Sequence, residues 1–182
     1  RGAFYMVLSA VSFCMMTVFV KLAGSSLPTI QIVFIRGVFT LAVTGFFLLK
    51  AKINPLGNNK KLLIARGIAG TLALFLVYES IQRFPLSEAT VIQYLYPLFT
   101  VVIASLLLSE TINGKILIGL FAGFFGVYAI LGFPEMSNNQ IDVESLVIAI
   151  SGSILTGLAY VLVRKTTSLN EHPLVVMFYF PL

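Results

Sequence analysis

Long apolar stretches separated by short polar ones dominate the pattern of residues along the chain. An α-helix needs about 20 predominantly apolar residues to cross the hydrocarbon core of a bilayer. The pattern predicts a series of such helices, with a further apolar run starting at Leu174, over residues 2–22, 29–49, 62–81, 86–108, 116–133 and 145–163. We therefore predict an all-α polytopic membrane protein folded as a multi-helix bundle.

The third and fourth predicted helices form a hairpin, because only the short segment QRFPLSEA (82–89) separates their apolar cores. The fourth helix carries small or polar residues at spacings of three and four, which places them on one face. These residues are Thr90, Gln93, Pro97, Thr100 and Ala104. Two interpretations stay open: a packing seam between helices, where small residues and Thr are favoured, or the wall of a cavity.

The fifth predicted helix carries a second distinctive face. Gly119, Gly123 and Gly126 lie on one side of it at spacings of four and three. Glycines in this arrangement allow two helix backbones to approach closely in a membrane. We expect this face to pack against another helix.

The composition supports a membrane protein and excludes several other classes. The chain is 58% hydrophobic and 10% charged, whereas soluble domains are about one quarter charged. The net charge of +5 is explained by basic loops and does not indicate nucleic acid. With one Cys and one His, the chain lacks the ligands for zinc or iron–sulfur sites, and it contains neither a phosphate-binding loop nor a nucleophile–base pair. We expect no cofactor and no enzymatic activity.

The loop cations predict the orientation. With the amino end in the cytoplasm, the residues on that side are Arg1, Lys50, Lys52, Lys60, Lys61, Arg66, Lys115, Arg164 and Lys165. Lys21 and Arg83 fall on the other side, and Arg36 lies within the membrane. Because basic residues concentrate in cytoplasmic loops, the amino end is predicted to be cytoplasmic.

The chain also contains a weak internal repeat. The segment SAVSFCMMTVFVK (9–21) resembles GSILTGLAYVLVR (152–164), and both are followed by a polar turn, a proline and an aromatic-rich helix. Five predicted helices separate the starts of the two copies, so the second copy is inverted across the bilayer. Inverted repeats are typical of secondary transporters. We predict a first five-helix repeat at 2–133 and the start of a second at 143–182, truncated within its second helix.

Several segments together resemble the EamA-type members of the drug/metabolite transporter superfamily. They are SFCMMTVFVKLAG (12–24), FIRG (34–37), the hairpin VYESIQRFPLSEATVIQYLYPLFTVVIASLLLSE (77–110) and GKILIGLFAGFFGVYAIL (114–131). The resemblance implies a ten-helix carrier of two repeats, of which this chain is the amino-terminal part. It also implies alternating access around a central cavity lined largely by helices 1, 3, 4 and 6. The chain departs from the family pattern at Glu79, where a small residue is expected.

Arg36 and Glu79 are the ionisable residues placed furthest from the loops. A charge in hydrocarbon is costly, so each should face the bundle interior and be paired or hydrated. Their similar depths allow an Arg36–Glu79 ion pair. The alternatives for Glu79 are a purely structural pair or hydration at the outer mouth, binding of a cationic substrate group, or transfer of a coupling proton.

Four further residues are candidates for substrate binding. Tyr78, Gln93 and Tyr94 offer hydrogen bonds and aromatic faces at bilayer depth, although tyrosines also anchor helices at interfaces. Lys21 either extends its ammonium group to the outer interface or contacts substrate.

From these observations we predict a secondary active transporter of small organic metabolites, such as amino-acid-like or nucleobase-like compounds. It would work by alternating access in a bacterial-type inner membrane, and a proton is a candidate coupling ion. A narrower alternative is a carrier or exchanger for nucleotide-like or S-adenosyl compounds. An alternative of another class is a scaffold or assembly subunit that transports nothing, whose polar stripes would be buried helix against helix. The sequence does not indicate an oligomeric state.

Overall fold

The computed structural model describes residues 2–108, 113–130 and 143–181, which form helices and turns with no β-strand among them. The helical segments are α1 (Gly2–Ala23), α2 (Thr29–Ala51), α3 (Lys60–Arg83), α4 (Leu86–Gln93), α5 (Tyr96–Leu108), α6 (Gly114–Ile130), α7 (Val143–Ser168) and α8 (Pro173–Phe178). Four stretches are long and apolar enough to cross a membrane: Thr29–Ala51, Lys60–Arg83, Leu86–Leu108 and Val143–Ser168. The prediction of an all-α polytopic membrane protein is confirmed.

The predicted helix bounds agree with the structure to within a few residues, except for α7, which extends to Ser168. The connection at 131–142, including the predicted end of the fifth helix, lies outside the described residues. The division of the chain into two inverted repeats stays a prediction.

The prediction of one unbroken helix over 86–108 is wrong. Helix α4 ends at Gln93 and α5 begins at Tyr96, so Tyr94 and Leu95 form a turn inside the apolar span. The cause is Pro97, which has no N–H to donate to the Gln93 carbonyl one turn earlier and whose ring would collide with it. The amide of Leu95 instead bonds the Ile92 carbonyl, three residues back, at 3.1 Å.

Helix α7 packs along both α3 and α5 and lies at the centre of the described bundle. Its glycines make this approach close. A Cβ atom at Gly157 would lie 2.9 Å from the Thr100 amide nitrogen, and one at Gly152 would lie 3.2 Å from the Leu76 Cβ. Any side chain larger than hydrogen at Gly157 would therefore push α5 and α7 apart.

The expected packing role of the α6 glycines stays a prediction, because no described residue packs against them. A Cβ atom at Gly119, Gly123 or Gly126 would have no atom within 4 Å in the part of the chain that is described. Spacing alone identified a face suited to close approach, but in this structure the close approach between helices is made by the glycines of α7.

Two clusters of buried side chains hold the bundle together at its two ends. One surrounds Tyr78 and Phe84 near the turn between α3 and α4. The other surrounds Leu63 and Val175, where the α2–α3 connection (52–59) meets the α7–α8 connection (169–172). At this second end the carboxylate of buried Glu171 accepts hydrogen bonds from two backbone amides of the α2–α3 connection, at 2.8 and 2.6 Å.

Candidate transport site

Arg36 and Tyr78 are the predicted site residues that the structure brings into contact. Arg36 lies about two turns inside α2, and its guanidinium donates a hydrogen bond to the Tyr78 hydroxyl. The guanidinium carbon also lies 5.6 Å from the centroid of the Tyr78 ring. Tyr78 is 1% exposed. A phenol thus partly compensates a charge whose placement in hydrocarbon costs at least about 2.5–3.5 kcal/mol.

The structure does not form the Arg36–Glu79 ion pair. Glu79 instead accepts a hydrogen bond from Arg83 Nε at 2.9 Å, and Arg83 also reaches Glu144 of α7 at 3.1 Å. The reason is helical geometry: consecutive residues on α3 point about 100° apart, so Tyr78 meets Arg36, whereas Glu79 meets α2 at its first residue, Thr29, about two turns before Arg36. The side chain of Glu79 is 23% exposed, and Thr29 lies beside the same carboxylate.

Lys21 has a structural set of partners. Its ammonium group donates hydrogen bonds to the carbonyls of Ile81, Gln82 and Phe84, at 2.6, 3.2 and 2.9 Å. The last carbonyls of a helix have no partner within the helix, and a cation near them is stabilising. The three hydrogens of Lys21 are engaged in closing the end of α3, so we do not include it in the proposed binding site.

Gln93 and Tyr94 lie at the break between α4 and α5. The Gln93 side-chain nitrogen is 3.4 Å from the Thr156 hydroxyl on α7, a long contact. Ser153 on α7 donates a hydrogen bond to the Ile92 carbonyl at 2.8 Å. Tyr94 is 46% exposed. Irregular backbone at bilayer depth is tolerated only where protein or water satisfies it, and here α7 supplies one of the partners.

The face of small and polar residues on α4 and α5, called the polar stripe below, forms a packing seam over part of its length. Thr100 lies against Gly157, Ala104 is buried, and the hydroxyl of Thr100 bonds the Tyr96 carbonyl within its own helix at 2.8 Å. These groups are satisfied locally and face α7. The seam interpretation therefore describes this half of the stripe.

Sequence reasoning missed two residues of the polar interior, Arg66 and Phe180. Arg66 was counted as a loop cation, but α3 begins at Lys60, so Arg66 lies about two turns inside the helix. Its Nε and one terminal nitrogen are buried without a hydrogen-bond partner among the described residues. The Phe180 ring lies 4.8 Å from the Arg66 guanidinium carbon and 5.8 Å from that of Arg36. Arg66 lies inside the predicted third helix, about one turn from its start, but it was grouped with the cations of the cytoplasmic side, and nothing in the sequence indicated Phe180.

A sequence profile of the EamA-like transporter family matches residues 1–132 of the chain. The chain belongs to the EamA-like transporter family. The matched region runs from α1 to the end of α6 and so includes Arg36, Arg66 and Tyr78. The resemblance seen in the sequence is thereby confirmed.

Curated relatives of this EamA-family chain are named as transporters. The chain is 26% identical over 179 residues to a pseudopaline exporter of Pseudomonas aeruginosa, a match that covers 98% of the chain and 62% of the relative. It is 26% identical over 180 residues to an uncharacterized transporter of Helicobacter pylori, covering 97% of the chain and 59% of the relative. It is 29% identical over 192 residues to human solute carrier family 35 member G1, covering 98% of the chain and 52% of the relative.

The chain therefore spans less than two thirds of the length of these relatives. No solved structure matches the chain. For this EamA-family protein the helix packing and side-chain contacts come from the present structure alone.

Proposed function

We propose that this protein is a secondary active transporter that moves small organic metabolites across a membrane by alternating access. The membership of the EamA-like family supports transport as the activity. The distribution of basic loop residues supports a bacterial-type inner membrane with the amino end in the cytoplasm.

The observation that carries the proposal is the Arg36–Tyr78 contact inside the bundle. An ionisable residue within a membrane span marks a substrate or ion pathway far more often than a lipid-facing position. A protein that only needed to fold would gain stability by replacing Arg36 with an apolar residue. Arg36 bonds a neutral phenol, so its positive charge is still available to a substrate.

The break between α4 and α5 supports a moving carrier. Transporters bind substrate near discontinuous helices, because an interrupted span exposes backbone polar groups at bilayer depth. Here the break falls at Tyr94 and Leu95, near the middle of the span Leu86–Leu108. Its contacts with α7 link the region covered by the family match to the segment that follows it.

The test is uptake and efflux in proteoliposomes of the full-length protein, screened across amino acids, nucleobases, nucleotide-like compounds, organic acids and amines. We expect specific transport of at least one compound and a large loss of transport in Tyr78→Phe, which removes the partner of Arg36. Lys50→Gln is a control for α2, the helix that carries Arg36, because it removes a positive charge from an exposed position of that helix. Equal transport by Tyr78→Phe, Lys50→Gln and the unaltered protein would contradict a role for this contact.

Glu79 is our candidate for coupling to a proton gradient. Its carboxylate and that of Glu144 share Arg83, which joins α3 to α7 through side chains at the exposed end of the bundle. Protonation of Glu79 would weaken its contact with Arg83. We expect Glu79→Gln to abolish the dependence of uptake on a pH gradient while uptake without a gradient persists. An unchanged dependence would exclude Glu79 as the coupling group.

The seam between α5 and α7 favours one competing function. A scaffold or assembly subunit would pack polar stripes helix against helix, as half-buried Thr100 packs against Gly157. Such a protein would transport none of the screened compounds, and a partner protein would co-purify with it. Transport by the purified protein alone would exclude this alternative.

A further inference from the structure

Arg66 is a half-buried cation, and its Nε and one terminal nitrogen are buried without a hydrogen-bond partner among the described residues. It lies inside α3, about two turns from the start of the helix. Its guanidinium packs on the ring of Phe180 at 4.8 Å. A ring face attracts a cation but accepts no conventional hydrogen bond from Nε, so the donors of Arg66 stay available.

Arg36 approaches the same aromatic ring from α2. Its guanidinium carbon is 5.8 Å from the Phe180 centroid, and that of Arg66 is 4.8 Å away. The two guanidinium carbons therefore lie no further apart than the sum of these two distances. One small molecule can contact both groups across that separation. The position of Phe180 is fixed in turn by Thr71, whose hydroxyl donates to the Phe180 carbonyl at 2.6 Å.

The carboxylates in the described ranges do not neutralise this pair of arginines. The salt bridges within those ranges join Glu79 and Glu144 to Arg83. Glu171 is occupied by the backbone amides of Asn58 and Asn59. Two cations thus share one aromatic neighbour, and no salt bridge within the described residues supplies an opposite charge to either of them.

We infer that Arg36 and Arg66, on α2 and α3 around Phe180, bind a small organic anion with two carboxylate groups. This inference rests on the proposed transport function and specifies its substrate class. A guanidinium presents its N–H donors in a planar fork that matches the two oxygens of a carboxylate. One carboxylate bound to each arginine supplies both the missing charge and the missing acceptors.

Phe180 covers the site in the form described here. Its ring occupies the position next to both guanidinium groups that the anion would take, so binding requires the ring to move aside. The ring belongs to the turn that follows α8. The backbone of this turn is anchored by a hydrogen bond from the Phe180 N–H to the Met177 carbonyl, at 3.2 Å. We expect Phe180→Ala to bind the dianion without losing affinity, because the arginines and not the ring supply the attraction.

The test measures thermal stabilisation of the full-length protein in detergent by three four-carbon probes. Succinate carries two carboxylates, putrescine two ammonium groups and 1,4-butanediol two hydroxyls on chains of the same length. We expect succinate to stabilise the protein and the other two to leave its unfolding temperature unchanged. Stabilisation by putrescine or by none of the probes would overturn the inference.

Variants assign the binding to the two arginines. We expect Arg66→Gln and Arg36→Gln each to weaken succinate binding by roughly tenfold or more, since each loses charge-assisted hydrogen bonds. Arg66→Lys keeps the charge but not the planar fork, so its affinity should be intermediate, and it serves if Arg66→Gln does not fold. Lys50→Gln should bind as the unaltered protein does. Equal affinity in Arg66→Lys, Arg66→Gln and Lys50→Gln would refute the assignment.

Two further arms distinguish a dicarboxylate site from a lipid-headgroup site and separate it from the transport function. Phosphatidylglycerol added to the detergent tests a lipid headgroup: stabilisation by the lipid without stabilisation by succinate would overturn the inference. Transport of amines or neutral compounds, unaffected by the arginine variants, would refute the anion site and leave the transport function standing. Arginine-dependent succinate binding without transport of any compound would support the anion site and contradict the transport function.

Discussion

Two regions of the bundle treat their polar groups in opposite ways. Where α7 meets α5, Gly157 brings the backbones together, and where it meets α4, the Ser153 hydroxyl donates a hydrogen bond to the Ile92 carbonyl. Around Phe180, two arginines share one ring, and two nitrogens of Arg66 have no partner among the described residues. The first region is close-packed and locally satisfied, whereas the second retains charge that its neighbours do not neutralise.

The comparison of the two regions distinguishes polar residues that stabilise the fold from the arginines that we propose bind a ligand. A polar group that a neighbouring helix satisfies contributes to stability, and its loss should destabilise the protein. A buried charge without a partner costs stability, so its presence needs another reason. On this basis we assign the α5–α7 seam to the scaffold and the arginine pair to the binding site.

The substitution expected to disturb helix packing most breaks the seam between α5 and α7. Gly157→Val places side-chain atoms where a Cβ alone would be 2.9 Å from the Thr100 amide nitrogen, and we expect it to cost about 1–3 kcal/mol of stability through overpacking. The measurement is thermal unfolding of the purified protein. Gly119→Val is the matched control, because its Cβ position meets no described atom within 4 Å. Equal unfolding temperatures for the two variants would contradict the tight seam.

Lys21 sharpens the comparison, because it is a cation whose partners are backbone carbonyls of the chain. We expect Lys21→Gln to lower stability by about 1.5–3 kcal/mol, the range for hydrogen bonds to charged groups. Transport KM should stay unchanged, since Lys21 lies outside the proposed site. A raised KM at unchanged stability would instead make Lys21 a substrate ligand.

Ser153→Ala tests the support that α7 gives to the broken span. It removes the hydroxyl that bonds the Ile92 carbonyl at 2.8 Å, and we expect a loss of about 1 kcal/mol in the free energy of unfolding. Succinate affinity should not change, because the arginine pair is untouched. Thr167→Ala, at an exposed position near the end of the same helix, is the control. An equal effect of the two substitutions would show that the Ile92 contact contributes nothing.

The sequence predicted the helices well because membrane spans leave long apolar runs, and these runs carry α2, α3, α4–α5 and α7. It did not predict the break after Gln93, although Pro97 was recognised, because a proline in a membrane helix is often accommodated by neighbouring groups. It grouped Arg66 with the cytoplasmic loop cations although the predicted helix begins at Leu62, because Arg66 lies only about one turn after that start. The sequence did not show that a cation so near the end of a span would have two buried nitrogens.

The partner of Arg36 could not be read from the sequence. Tyr78 and Glu79 are adjacent, and only the rotation of α3 about its axis decides which of them meets Arg36. Ionic attraction suggested Glu79, but Arg83 lies one turn away on the same helix and pairs with it. The role of Phe180 depends on the docking of α8 against α2, a contact between segments far apart in the chain.

The most direct measurement compares the unfolding temperature of Arg66→Met with that of the unaltered protein, each with and without succinate. Removing a buried charge without a partner should leave the ligand-free protein as stable or more stable, while the stabilisation by succinate should disappear. These two results together are expected if Arg66 binds the ligand and does not stabilise the fold. A less stable Arg66→Met that succinate still stabilises would show that Arg66 serves the fold and would contradict the anion site.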